Sequence, residues 1–175
     1  MNNYKIVFMG TPDFGIPSLN ELYKQGYEVE AVYTQPDRVN KRGNKVQFSA
    51  VKQFALEHDI TIYQPNSLKD EKELDVLRAL NPDLIIVIAY GKILPQAVLD
   101  IPKYGVINVH ASLLPKYRGA APVQRSIIDG EETTGVTIMQ LDAGMDTGNI
   151  IAEKSVSITP HMTSEGLFDL SLIHI

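Results

Sequence analysis

The run Leu84-Ile85-Ile86-Val87-Ile88-Ala89-Tyr90 is apolar along its whole length and shows no alternation of apolar with polar positions. A strand with one wet face alternates; one that does not is covered on both faces, the condition of a central strand in a parallel sheet. Parallel neighbours cannot be joined by tight turns, so each needs a crossover of a dozen or more residues, usually a helix. The preceding chain has that form. Residues 5–9 read as a buried strand stopped by Gly10-Thr11-Pro12-Asp13, and Pro17 opens a helix with Leu19, Leu22 and Tyr23 at helical spacing up to Gly26. Strand composition at 29–34 and 61–63 alternates with helical pattern at 49–58 and 70–80, the last broken by Asn81-Pro82-Asp83. With 175 residues, 44% of them hydrophobic, the chain is one domain with a core. The predicted class is α/β: a doubly wound, mostly parallel open sheet with helices on both faces and right-handed crossovers.

Beyond residue 100 the spacing tightens. Residues 105–110, 135–141 and 150–158 have strand composition, with room for one helix at 123–128, and the last two strands are separated only by Asp- and Gly-rich turn residues. This predicts an antiparallel element near the C-terminal end. A helix capped by Thr163 or Ser164 begins with Leu167, Phe168 and Leu170 and meets the end of the chain at Ile175, which reads as a truncation.

The absence of cysteine excludes disulfide scaffolds, thiol nucleophiles and Cys-bearing metal sites. No apolar run approaches the ~20 residues of a membrane span, and the apolar stretch after Met1-Asn2-Asn3-Tyr4-Lys5 is too short for a signal peptide. The expected location is the cytoplasm, with no membrane partner. A net charge of −5 argues against bulk wrapping of nucleic acid, although a local patch of opposite sign remains compatible with it.

Gly10-Thr11-Pro12-Asp13-Phe14-Gly15 stands where doubly wound folds bind phosphates. Ile16-Pro17 replace the Lys and Ser/Thr of a phosphate loop, and Pro12 takes the place of the second glycine of the dinucleotide fingerprint. The favoured reading is a tight turn whose side chains line the carboxyl edge of the sheet.

Asn108 and His110 are polar residues two apart in a run of buried-strand composition, so they share a face. The chain leaves the strand directly after them, which points both at the carboxyl-edge crevice, where an amide and an imidazole can donate to an oxygen gaining negative charge. Acyl and formyl transfer need such a site. Asp142 and Asp146 both lie in the glycine-punctuated segment 142–148; either can form a turn, either can orient His110, and spacing does not choose between them. His58, His161 and His174 are scattered, so no metal is expected.

Three separated stretches, Gly10 to Phe14, Asn108 to Pro122 and Gln140 to Gly148, resemble the methionyl-tRNA formyltransferases in family order. The resemblance covers essentially the whole chain. It implies a Rossmann-like formyltransferase fold, 10-formyltetrahydrofolate as co-substrate, and formylation of the α-amine of methionine on initiator methionyl-tRNA. It places the catalytic trio at Asn108, His110 and Asp146, resolving the choice between the two aspartates. Folate contacts are implied at Ser112, Leu113, Leu114 and Pro115, at Ile88, Tyr90 and Gly91, and near Gln140 and Asp142. It further implies that residues 1–175 are a catalytic domain incomplete at its C-terminus, without the β-barrel tRNA-binding domain, so that the fragment is monomeric and poorly active on tRNA. Other acceptors kept by the same trio are glycinamide ribonucleotide and amino-sugar nucleotides; a rival of another class is a non-catalytic nucleotide- or RNA-binding module.

Arg38, Lys41, Arg42, Lys45 and Lys52 form a basic stretch with only Asp37 among them. With Gly43 and Asn44 inside, it reads as a loop after the second strand able to hold phosphates. The resemblance implies that Arg38, Lys41, Arg42 and Lys45 contact RNA, Arg42 matching a basic residue that meets the acceptor stem.

Overall fold

The computed structural model describes residues 4–39 and 46–174, the side chains of residue 39 and of residues 171–174 excepted. Two compact units divide after Val106.

The first unit runs β1 (Lys5–Gly10), α1 (Ile16–Lys24), β2 (Glu28–Tyr33), β3 (Arg38–Val39), β4 (Val46–Gln47), α2 (Ala50–Glu57), β5 (Thr61–Tyr63), α3 (Glu71–Leu80), β6 (Leu84–Ile88) and a single turn, α4 (Gln96–Leu99). Four strands pair in parallel in the order β5-β2-β1-β6. The apolar runs that demanded two covered faces have them, since Val7, Phe8, Met9, Ile85 and Ile88 are fully buried. From β1 the chain proceeds outward to β2 and β5, then returns to lay β6 on the other flank of β1. That reversal makes a topological switch point between the carboxyl ends of β1 and β6.

Local chemistry sets the helix boundaries. Pro17 sits in the first turn of α1, where its missing N–H is no loss. Ser49 caps α2 by accepting from the Lys52 amide at 3.0 Å, and Asp70 caps α3 through the Lys72 amide at 3.1 Å. Asn81, at φ 47°, closes α3 in the left-handed conformation just before Pro82. Strand β6 stops at Ile88, two residues short of the apolar run, because Ala89 takes φ 49° and leaves the extended region.

The basic stretch departs from the expected plain loop. Its two ends pair as a short antiparallel ribbon, Arg38 with Gln47 and Val39 with Val46. The root of the ribbon is tied to α2: Lys52 Nζ lies 2.5 Å from Asp37 Oδ2 and 2.9 Å from Gln64 Oε1, and Gln64 Nε2 donates to Asp37 Oδ1 at 2.8 Å. The Lys52 ammonium, with help from Gln64, holds the Asp37 carboxyl below its ordinary value. Lys52 is thus committed internally.

The second unit holds β7 (Val106–His110), which starts at the division, then α5 (Pro122–Ile128), β8 (Thr133–Gln140), β9 (Ile150–Ser157) and α6 (Ser164–His174). The three strands pair antiparallel, β7 with β8 and β8 with β9, which extends the antiparallel element expected from the turn chemistry. Leu167 of α6 is fully buried, and that helix packs on α5, β8 and β9. β9 is exposed along its length except at Val156.

Candidate active site

β7 supplies Asn108 and His110 on one face, in register with Met139 and Thr137 of β8. His110 is buried and Asn108 half-buried. The Asn108 amide is part-exposed and makes no hydrogen bond to any described residue. His110 is hydrogen-bonded at Nε2, 2.8 Å from the Tyr117 carbonyl, and its Nδ1 faces Asp146 Oδ2 at 3.6 Å. The Tyr117 carbonyl can only accept, so it fixes the ring's orientation and leaves the Asp146 carboxylate as the neighbour able to exchange a proton with it.

The backbone amide of Gly119 donates to Asp146 Oδ2 at 2.7 Å, turning the carboxylate toward the ring. Asp142 is engaged elsewhere: its Oδ1 accepts from the Gly144 amide at 2.9 Å and from the Thr147 hydroxyl at 2.8 Å, the pattern of a turn former. Geometry thus separates two aspartates that spacing left equivalent. Gln140 is exposed at the end of β8.

Residues 111–121 form a loop fastened at several points. The Ser112 hydroxyl donates to the Lys116 carbonyl at 2.6 Å, which leaves its fully buried oxygen occupied within the loop. Thr137, also fully buried, donates to the Ser112 carbonyl at 2.7 Å and accepts from the Leu114 amide at 3.1 Å. Leu113 lies over Gly135, where a Cβ would stand 2.6 Å from Leu113 Cδ2 and 2.2 Å from the Lys154 carbonyl oxygen. Of the four residues implied to touch folate here, Pro115 is exposed, Leu113 half-buried, and Ser112 and Leu114 buried. At the far side Lys116 and the Tyr117 hydroxyl reach Glu131 Oε1 at 2.7 and 2.9 Å and hold that carboxyl below its ordinary value.

Ile88, Tyr90 and Gly91 belong to the first unit, at the end of β6. The Tyr90 ring is buried, and burial pushes its hydroxyl up to about 12, so the exposed surface here is that of Ala89 and Gly91. Arg38 is exposed in β3; Lys41, Arg42 and Lys45 lie outside the described residues. Sequence reasoning missed Thr137, Tyr117 and Gly119. Thr137 had a signal, a hydroxyl inside the apolar run of β8, whereas the other two act through backbone atoms that side-chain identity does not announce.

Among the described residues no group of His, Asp and Glu is gathered to hold a metal ion, and no helix is long and apolar enough to cross a membrane.

A parallel sheet with a switch point in the first unit, and in the second antiparallel strands of which β7 carries an amide and an imidazole on one face, make a Rossmann-like α/β protein. Solved structures share this fold at low identity. Phosphoribosylglycinamide formyltransferase from Bacillus halodurans superposes with TM-score 0.80 at 24% identity, covering 97% of this chain and 88% of that one. Glycinamide ribonucleotide transformylase 1 from Symbiobacterium toebii gives TM-score 0.83 at 20% identity, with 98% and 82% covered. Residues 4–170 match the formyl transferase family, and the chain belongs to it. It is similar in sequence to the methionyl-tRNA formyltransferases of Clostridium perfringens strain SM101, 57% identical over 95% of this chain, and of Legionella pneumophila strain Paris, 50% identical over 97%. The chain spans about half, 54%, of the length of each of these relatives.

Proposed function

We propose that this chain carries the formyl-transferring part of a cytoplasmic methionyl-tRNA formyltransferase, taking the formyl group from 10-formyltetrahydrofolate to the α-amine of initiator methionyl-tRNA. The observation that carries the reading is the Asn108 amide, without a hydrogen bond to any described residue, on the strand face of a His110 ring that faces Asp146 at 3.6 Å, in a member of the formyl transferase family at 57% identity to a relative of that name. The site fits a formyl donor, because a part-exposed amide on the same strand face as a buried imidazole can donate to a carbonyl oxygen gaining charge.

In this reading the amine attacks the formyl carbon, the C–N bond to the folate breaks, and one proton passes from the attacking amine to the departing nitrogen. Asn108 donates to the oxygen that gains charge. His110 reaches the same oxygen by exchanging its bond to the Tyr117 carbonyl. Asp146 keeps the ring oriented and takes up the amine proton, directly or through Nδ1. The contacts proposed for the folate are Ser112 to Pro115, residues 88–91, and the chain near Gln140 and Asp142. The proposed RNA contacts are Arg38, Lys41, Arg42 and Lys45, and the relatives' additional length is the proposed source of the tRNA-holding β-barrel. We take the catalytic part to act as a monomer.

The test is formyl transfer from 10-formyltetrahydrofolate to methionyl-tRNA by this chain, by the chain extended to its relatives' length, and by Asn108→Ala and His110→Ala variants of the extended protein. Removing one oxyanion donor is expected to lower kcat by about 100-fold or more. An extended protein that binds the folate yet formylates only a small amine would overturn the tRNA assignment, and full activity without His110 would overturn the mechanism.

A further inference from the structure

The Gly10-Thr11-Pro12-Asp13 turn has the position of a phosphate loop without its chemistry, which leaves the Thr11 hydroxyl without a role. The structure gives it one at the switch point. The Thr11 hydroxyl donates to the Tyr90 carbonyl at 3.0 Å, the Gln35 side-chain amide donates to the same carbonyl at 3.0 Å, and the Gln35 backbone amide donates back to Thr11 Oγ1 at 3.3 Å. These three bonds close a link across the carboxyl ends of β1, β2 and β6.

The link grips a backbone that needs gripping. Ala89 has φ 49° and Gly91 φ 80°, flanking Tyr90, and a left-handed alanine persists only where its surroundings over-determine it. The Tyr90 ring is anchored inside while its carbonyl takes two donors, so both the side chain and the peptide between the two left-handed residues are fixed. What remains exposed are Ala89 and Gly91, with little side chain to cover their peptide groups. With the Tyr90 carbonyl taken internally, the other backbone groups of such a segment can meet the polar edge of a flat heterocycle, provided they are held in place.

We propose that Thr11 and Gln35 are positioning residues for the folate: they do not touch it, and they set the backbone at residues 89–91 that does. This rests on the reading of that segment as part of the folate site. Three substitutions in the whole chain separate the possibilities: Thr11→Val, which keeps the shape and removes the hydroxyl; Thr11→Ser, which keeps the hydroxyl; and Gln35→Met, which keeps the length and removes the amide.

Calorimetric titration with 10-formyltetrahydrofolate gives the Kd, and the thermal midpoint is followed in parallel. Thr11→Val and Gln35→Met are each expected to weaken binding roughly three- to tenfold, the worth of one lost hydrogen bond, with Thr11→Ser within about twofold of the parent. A role in stability alone would lower the thermal midpoint and leave the Kd of the folded protein unchanged, and that result overturns the proposal. So does equal weakening by Thr11→Ser and Thr11→Val. Absence of folate binding by the unaltered chain would instead overturn the functional reading and this proposal with it.

Discussion

Replacing Thr137 by Val changes the side chain's volume little and removes one buried oxygen. That oxygen serves two backbone groups of the 111–121 loop, donating to the Ser112 carbonyl at 2.7 Å and accepting from the Leu114 amide at 3.1 Å. Ser112 and Thr137 are fully buried and Leu114 is 8% exposed, so water does not readily replace what is lost. A buried backbone group left without its partner costs about 1–3 kcal/mol, which gives a loss of about 2–6 kcal/mol for the pair. Set against a typical net stability of about 5–15 kcal/mol, this is a large fraction. Thr137→Ser keeps the oxygen and removes a methyl group, for a loss of about 1 kcal/mol. Equilibrium urea unfolding with linear extrapolation measures both. A Val variant within about 0.5 kcal/mol of the parent, or a Ser variant as unstable as the Val variant, would refute the assignment of Thr137 as the fastening between β8 and the loop.

Two further expectations concern other parts of the chain. Gly135→Ala drives a Cβ to 2.2 Å from the Lys154 carbonyl oxygen, a backbone atom of the β8–β9 ladder that cannot swing aside; a loss of about 3 kcal/mol is expected, with earlier amide hydrogen exchange along β9. Asp37→Asn removes a carboxylate held below its ordinary value of 3.8 by Lys52 and Gln64. A depressed folded value stabilises above the unfolded one and is lost as pH falls through the folded one, so the parent should exceed the variant in urea midpoint at neutral pH, the gap starting to close as pH falls below about 4 and vanishing once the folded carboxyl is protonated. A gap that persists unchanged to about pH 2 would show that the carboxylate's charge is not what fastens the ribbon.

The central strands were legible in the sequence because two covered faces leave an unbroken apolar run, and helix starts because Ser49, Asp70 and Pro17 are chemically suited to those positions. Two features of the first unit escaped. The β3–β4 ribbon is two residues a side and carries charge, so no hydrophobic period marks it; the signal lay in Asp37, Lys52 and Gln64, which are distant in sequence. The end of β6 is placed too late by the sequence because Ala89 is an ordinary residue for a strand, and the hydrogen bonds from Thr11 and Gln35 to the Tyr90 carbonyl beside it come from residues distant in sequence.

At the candidate site the same division holds. Parity alone put Asn108 and His110 on one face, whereas the orientation of Asp146 depends on the Gly119 amide across a turn that residue spacing does not describe. The engagement of Asp142 with Gly144 and Thr147 is a local pattern and was foreseeable as turn chemistry; the absence of that pattern at Asp146 was not.

The loop between β7 and α5 is attached to its surroundings by Ser112 and Leu114 at Thr137, by Lys116 and Tyr117 at Glu131, by Tyr117 at His110 and by Gly119 at Asp146. Surface connections ordinarily absorb an inserted or deleted residue. Here one added residue before Tyr117 would carry its carbonyl past the imidazole, and one added after it would carry the Gly119 amide past the carboxylate. The number of residues in the loop works as a ruler, so a change of length that alters no side chain of the trio would still leave its imidazole and carboxylate out of alignment.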